Sequence, residues 1–211
     1  YIPKNFFVEI FPNETIILKN NSFIFSDSPW KADGNTGQIS IRGEIDNFGG
    51  GLIINNVNKL SKFINVKFSY LTGYKRDYFE RSTEKRYSSK TSYFSNTNQF
   101  KETLYEKEVF NNSNEFLIMG SINFHNTFVD IKKVLFENIS SEDALNIINS
   151  EFSISEIEFK NNNSDSIDFD FSNGILEKAE FYNIGNDAID FSGSKAFIKD
   201  LNFYGVNDKL I

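Results

Sequence analysis

Apolar and polar positions alternate in short bursts along this chain, and in its second half the bursts recur at a fixed interval. Phe136, Phe159, Phe181 and Phe203 are 23, 22 and 22 residues apart. Each stands two places after one apolar residue (Val134, Ile157, Ala179, Leu201) and five after another (Ile131, Ile154, Leu176, Ile198). Asn138, Asn161 and Asn183 follow the first three Phe by two positions, with Gly205 in the fourth copy. An acidic residue with a small neighbour comes next, as Asp143-Ala144, Asp165-Ser166 and Asp187-Ala188, with Asp208-Lys209 as the fourth member. Strand-like alternation follows in Leu145-Asn146-Ile147, Ile167-Asp168-Phe169 and Ile189-Asp190-Phe191. Several columns holding register together over four copies mark an internal repeat.

A period of 22 residues with alternate apolar positions, punctuated by Asn, Gly and Ser, predicts a chain coiled into turns of three short strands. Rungs about 4.8 Å apart would then stack Phe on Phe and Ile on Ile. Composition agrees, because 24 Phe and 28 Asn suit many short strands joined by many tight turns. Weaker copies precede the repeat: Phe63, Val66 and Phe68 keep the same spacing, as do Met119, Ile122 and Phe124. Ile2-Pro3, Pro12 to Ile16, Ile39 to Gly43 and Gly50 to Ile54 read as opening rungs.

The predicted organisation is rungs over 1–71, an irregular insertion over 72–115 of the same domain, and rungs over 116–211. The insertion lacks the register and holds Tyr74, Tyr78, Tyr87, Tyr93 and Tyr105, with eight basic and five acidic residues between Lys75 and Lys107. Tyr74, Tyr78, Tyr87 and Tyr93 are candidate ligand-binding residues, since a tyrosine offers an apolar face for sugar or protein together with a polar tip. The N-terminal Tyr1-Ile2-Pro3-Lys4 reads as part of a longer or processed chain, and the open final rung predicts a cap or further rungs after Ile211.

The periodic columns resemble the right-handed parallel β-helix superfamily of pectate lyases, polygalacturonases and phage tailspikes. The resemblance implies an all-β, single-stranded solenoid in which the Asn138, Asn161, Asn183 column forms an asparagine ladder inside one turn. It also implies an extracellular or cell-surface location. Asn163-Ser164-Asp165 and Gly185-Asn186-Asp187 are similar to the paired acidic stretches of polygalacturonases, but no His or Arg follows His125 on the later rungs.

Charge sharpens the picture. The chain carries -7 overall, and Glu137 to Asp190 holds 13 acidic residues against Lys160 and Lys178, a local balance of -11. If Ile167, Phe169, Ile189 and Phe191 point inward, Asp168, Asp170 and Asp190 point outward, with Asp168 and Asp190 one strand spacing apart. Carboxylates that close call for a cation, a shared proton or solvation. Asp168, Asp170 and Asp190 are accordingly candidate calcium ligands. In an enzymatic reading, Asp165, Asp168, Asp187 and Asp190 with Lys209 would form the site of a calcium-assisted polysaccharide lyase or a polygalacturonase-like hydrolase.

The ordinary reading of each residue stands alongside. Asp143, Asp165 and Asp187 fall at one turn, where a carboxylate accepts backbone N–H groups. Lys209, placed in the outward column of Ala144, Ser166 and Ala188, is expected to pair with Asp187 or Asp190. His125 is expected to be an exposed turn residue, and Trp30 to serve packing.

Exclusions narrow the function. Without Cys there is no disulfide, thiolate nucleophile or thiolate-bound metal, and one His builds no multi-His centre. The acidic balance argues against nucleic acid as a partner, and no apolar run reaches the length of a membrane span. The leading expectation is a non-catalytic secreted or surface module that binds polysaccharide or a surface protein, needing no cofactor beyond possible calcium. A structural spacer of a long surface protein is the remaining alternative.

Overall fold

A computed structural model describes residues 1–73 and 120–211, which belong to one compact unit. The first strands are β1 (Val8–Ile10), β2 (Thr15–Ile17), β3 (Phe23–Ser26), β4 (Trp30–Asp33), β5 (Ile39–Arg42), β6 (Gly51–Asn55), β7 (Leu60–Ile64) and β8 (Val66–Ser69). After residues 74–119 come β9 (Gly120–His125), β10 (Phe128–Glu137), β11 (Asp143–Ile148), β12 (Glu151–Asn162) and β13 (Asp165–Asp170). The last are β14 (Asn173–Leu176), β15 (Ala179–Ile184), β16 (Ile189–Ser192), β17 (Lys195–Ile198) and β18 (Leu201–Val206).

These strands wind into a parallel β-helix with three faces. Face A is a six-stranded sheet in the order β16-β13-β11-β9-β6-β3. Face B stacks β1, β4, β7, the first half of β10, the first half of β12, β14 and β17, which makes seven turns. Face C stacks β2, β5, β8, the second halves of β10 and β12, then β15 and β18. Faces B and C form one bent sheet because β10 and β12 run through both, bending at Lys133 and Glu156 with φ of 55° and 56°. The named ladders are all parallel, as coiling in one sense requires.

The 22-residue period is the stacking register. Phe136 pairs with Phe159, Phe159 with Phe181 and Phe181 with Phe203. Their rings stack at 4.9, 5.4 and 5.1 Å between centroids, and Phe68 continues the ladder at 5.0 Å from Phe136. Burying each ring contributes about 1.5–3 kcal/mol, and an aromatic contact adds roughly 0.5–1.5 kcal/mol. Trp30 packs as expected, 1% exposed and stacked on Phe63.

Between the faces the chain turns through left-handed residues, and among the described residues eleven of the sixteen non-glycine residues at positive φ are Asn. Asparagine tolerates this region better than other residues with a side chain. The column of Asn138, Asn161 and Asn183 has φ of 55°, 54° and 56°, and Gly205 continues it at 78°. Asn183 donates to Asn161 at 3.0 Å. This ladder lies outside the coil rather than inside it: Asn161 and Asn183 are exposed. Left-handed turn geometry directs their side chains toward solvent while Ile139 and Ile184 fill the interior.

A second ladder joins faces A and B, where Asn126 donates to Asn56 at 2.8 Å and Asn149 donates to Asn126. Beside it runs a hydroxyl column. Ser150, Ser172 and Ser194 each accept the backbone N–H of the preceding rung, from Thr127, Ser150 and Ser172.

Four placements differ from the sequence reading. Phe124 belongs to face A opposite Ile147, not to the Phe68–Phe136 ladder, because short apolar alternation recurs on every face. Lys209 stands in the Asp165, Asp187 column, since its N–H bonds the Asp187 carboxylate, so the fourth acidic copy is displaced by one residue. Ala144, Ser166 and Ala188 are fully buried rather than an outward column. His125 is 6% exposed at the end of β9, not an exposed turn residue.

Candidate functional site

Face A presents two outward columns. Parallel pairing aligns Asn123, Asn146, Asp168 and Asp190 in one, and Asn55, His125, Ile148, Asp170 and Ser192 in the other. Alternation along each strand puts them there, since Ile167, Phe169 and Ile189 are at most 1% exposed. The register thus brings Asp168, Asp170 and Asp190 together on adjacent strands.

The start of the acidic column is buried. Asp143 is 3% exposed and Asn146 is 1% exposed. Asn146 Nδ2 donates to Asp143 Oδ2 at 3.1 Å and to Asp168 Oδ2 at 3.5 Å. Asn146 Oδ1 and Asp168 Oδ1 are buried without a hydrogen-bond partner. Burial, reinforced by the charge of Asp168, pushes the Asp143 carboxyl up to about 8. Burial also pushes Asp168 up to about 7, with help from Asp170, Asp190 and Asp165. Asp170 is raised by burial first and Asp190 second.

Asp165 and Asp187 are used differently. Asp165 Oδ1 accepts the Asp187 N–H at 2.9 Å and the Asn186 amide at 2.7 Å. Asp187 accepts the Lys209 N–H at 2.9 Å on Oδ1, and its Oδ2 lies 3.2 Å from Lys209 Nζ. These two carboxylates tie one rung to the next, the turn role anticipated for their column, whereas Asp143, expected to do the same, accepts the Asn146 amide. The hydrogen bond and charge of Asp187 hold the Lys209 ammonium above its ordinary value, opposite to what a general base needs.

His125 Nδ1 lies 2.7 Å from Asn55 Oδ1, and burial pulls the imidazole down to about 4. An amide oxygen accepts, so Nδ1 carries the proton of the neutral ring.

Charge compensation differs between faces. Lys160, Lys178, Lys67 and Lys133 neutralise Glu158, Glu180, Glu137 and Glu156 on faces B and C. Among the described residues, the acidic side chains of face A and its leading corner have one lysine partner, Lys209 on Asp187. Among those residues, too, no group of three or more His, Asp or Glu side chains is placed to hold one metal ion. Asp168, Asp170 and Asp190 are therefore neighbours along a face, not a closed cage. The candidate residues Tyr74, Tyr78, Tyr87 and Tyr93 lie outside the described residues.

Reading the sequence missed the Asp143–Asn146–Asp168 contact. Asp143 precedes Asn146 by three positions and Asp168 follows it by one period, so the signal was present, but nothing local marks Asp143 as buried. No family model, curated protein or solved structure matches the chain. No helix among the described residues is long and apolar enough to cross a membrane.

Proposed function

We propose that this chain is a non-catalytic binding module of a secreted or cell-surface protein. It engages a polysaccharide or protein partner through the acidic face A, with calcium as the counter-ion and the tyrosines of the 72–115 segment as a second contact surface. One observation carries the reading. On faces B and C, Glu137, Glu156, Glu158 and Glu180 each have a lysine partner, whereas Asp168, Asp170 and Asp190 adjoin one another on face A, where Asn146 Oδ1 and Asp168 Oδ1 are buried without donors. A cation, or a cationic group of a partner, relieves that repulsion and satisfies oxygen atoms suited to a hard ion. Against catalysis, Asp165 and Asp187 are engaged by neighbouring N–H groups and Lys209 is held protonated.

Titration with calcium chloride by calorimetry is expected to give saturable heat and a higher melting temperature. Replacing Asp168 and Asp190 together by Asn is expected to abolish both effects. An unchanged isotherm in that double variant, or no heat with the parent protein, overturns the cation role of face A.

A second reading has one observation in its favour. The Asp168 carboxyl at about 7 has the protonation range of a general acid. A polysaccharide lyase or hydrolase using Asp165, Asp168, Asp187, Asp190 and Lys209 would release unsaturated or reducing ends from polygalacturonate or alginate in the presence of calcium. Silence in that assay removes the enzymatic reading.

A further inference from the structure

The corner between faces A and B carries a groove of about 290 Å³, separate from the acidic columns. One wall is the left-handed column Asn126, Asn149 and Phe171, and the other is the outward column Phe128, Glu151 and Asn173 that opens face B. Thr127 and Ser150 line it between the walls.

Three features single this groove out. The first is Phe171. Its column reads Asn56, Asn126, Asn149, Phe171, Gly193, all at φ between 46° and 66°. An aromatic residue is poorly suited to that conformation, and strain of this kind clusters at binding and active sites. The ring is nevertheless 67% exposed, so core packing does not explain it. It leans over Gly193, where an added Cβ would come within 2.7 Å of the ring.

The second feature is the interrupted ladder. Asn149 donates to Asn126, but the next residue in the column has no amide, so Asn149 Oδ1 meets no donor among the described residues. Glu151 and Asn173 are exposed, and their side chains make no hydrogen bond or ion pair among those residues. Thr127, 3% exposed, keeps an unpartnered Oγ1 beside the groove. The third feature is the second aromatic. Phe128 is 41% exposed and sits two rungs before Phe171 on the opposite wall. Two rungs span about 10 Å, roughly the length of two linked hexose rings.

We infer that this groove is a binding site for a neutral saccharide chain. Phe128 and Phe171 offer apolar faces to the C–H surfaces of successive sugar rings. Asn149 Oδ1, Glu151 and the Asn173 amide supply acceptors and a donor for their hydroxyls. No basic side chain lines the groove, so nothing there recognises a uronate or sulfate group. The site is distinct from face A and needs no calcium.

Calorimetric titration with cellotetraose, mannotetraose and maltotetraose, with tetragalacturonate as the anionic control, tests it. At least one neutral tetrasaccharide is expected to bind, equally well with chelator and in the Asp168→Asn, Asp190→Asn double variant. Phe171→Asn and Phe128→Ala are each expected to weaken binding at least tenfold. Phe171→Asn suits the left-handed backbone and extends the ladder, so its melting temperature should equal or exceed that of the parent, separating lost binding from lost fold. The proposal is overturned if no neutral tetrasaccharide binds, if tetragalacturonate binds more tightly, or if both variants bind like the parent. Failure of calcium to bind face A leaves these outcomes unchanged.

Discussion

Melting the protein at pH 5 and at pH 8 is expected to give the higher midpoint at pH 5, the reverse of ordinary acid destabilisation. Asp143 is the main cause. Burial and the neighbouring Asp168 charge raise its carboxyl from 3.8 to about 8, so the folded protein retains a proton that the unfolded chain releases near pH 4. Where the folded state binds more protons, stability falls as pH rises. Asp168, raised to about 7, acts in the same direction with a smaller weight because it is partly solvated.

His125 opposes them. Its folded value of about 4 lies below the ordinary 6.5, so its contribution is lost as pH falls through that window. Two carboxyls against one imidazole leave the net slope negative between pH 4 and 7, and Asp143 alone keeps it negative to pH 8.

At about 1.4 kcal/mol per pK unit, the Asp143 shift corresponds to a ceiling of roughly 6 kcal/mol. Asp143→Asn should therefore melt well above the parent at pH 8, by a smaller margin at pH 5, converge with it only below about pH 4, and flatten the profile between. A parent profile that is flat or rises from pH 5 to 8 would show that Asp143 ionises freely.

Asn162→Ile is expected to stabilise the protein by about 1–3 kcal/mol, the cost of burying an unsatisfied amide. Asn162 is 3% exposed, and neither its Oδ1 nor its Nδ2 has a partner. It occupies the interior column of Leu71, Ile139 and Ile184, which are at most 1% exposed, and pairs in register with Ile184. Ile at this position continues a column of similar residues and keeps the β-branched shape that suits a strand. For a domain of this size the change corresponds to a rise in melting temperature of several degrees. Chemical denaturation at two pH values would separate it from the Asp143 effect. A fall in stability would mean that the amide is held by buried water and that its removal costs more than the apolar contact returns.

The coiled architecture was legible because a β-helix requires the same kind of residue at the same place in every turn. Phe136, Phe159, Phe181 and Phe203 can stack only if their spacing equals the length of a rung, so the period appears directly in the chain. The outward placement of Asp168, Asp170 and Asp190 followed from alternation alone. The left-handed Asn138, Asn161, Asn183 turn was marked by residue type, although its exposed position was not.

What escaped depends on neighbours one turn away. Phe124 joins face A because of what β9 stacks on, and its local spacing is indistinguishable from that of the Phe68 ladder. Lys209 lands on Asp187 because hydrogen bonding between rungs, not dipeptide likeness, sets register. The sequence also concealed which acids are neutralised. Glu158 and Glu180 have lysines within reach, whereas Asp168 adjoins Asp170, Asp190 and a buried asparagine and, among the described residues, neither it nor Asp190 has a lysine partner. Periodicity along the chain is enforced by stacking and can be read from one strand of text. Burial, pairing and charge compensation are set across the stack, where residues far apart in sequence lie one strand spacing from one another, and only the folded protein decides them.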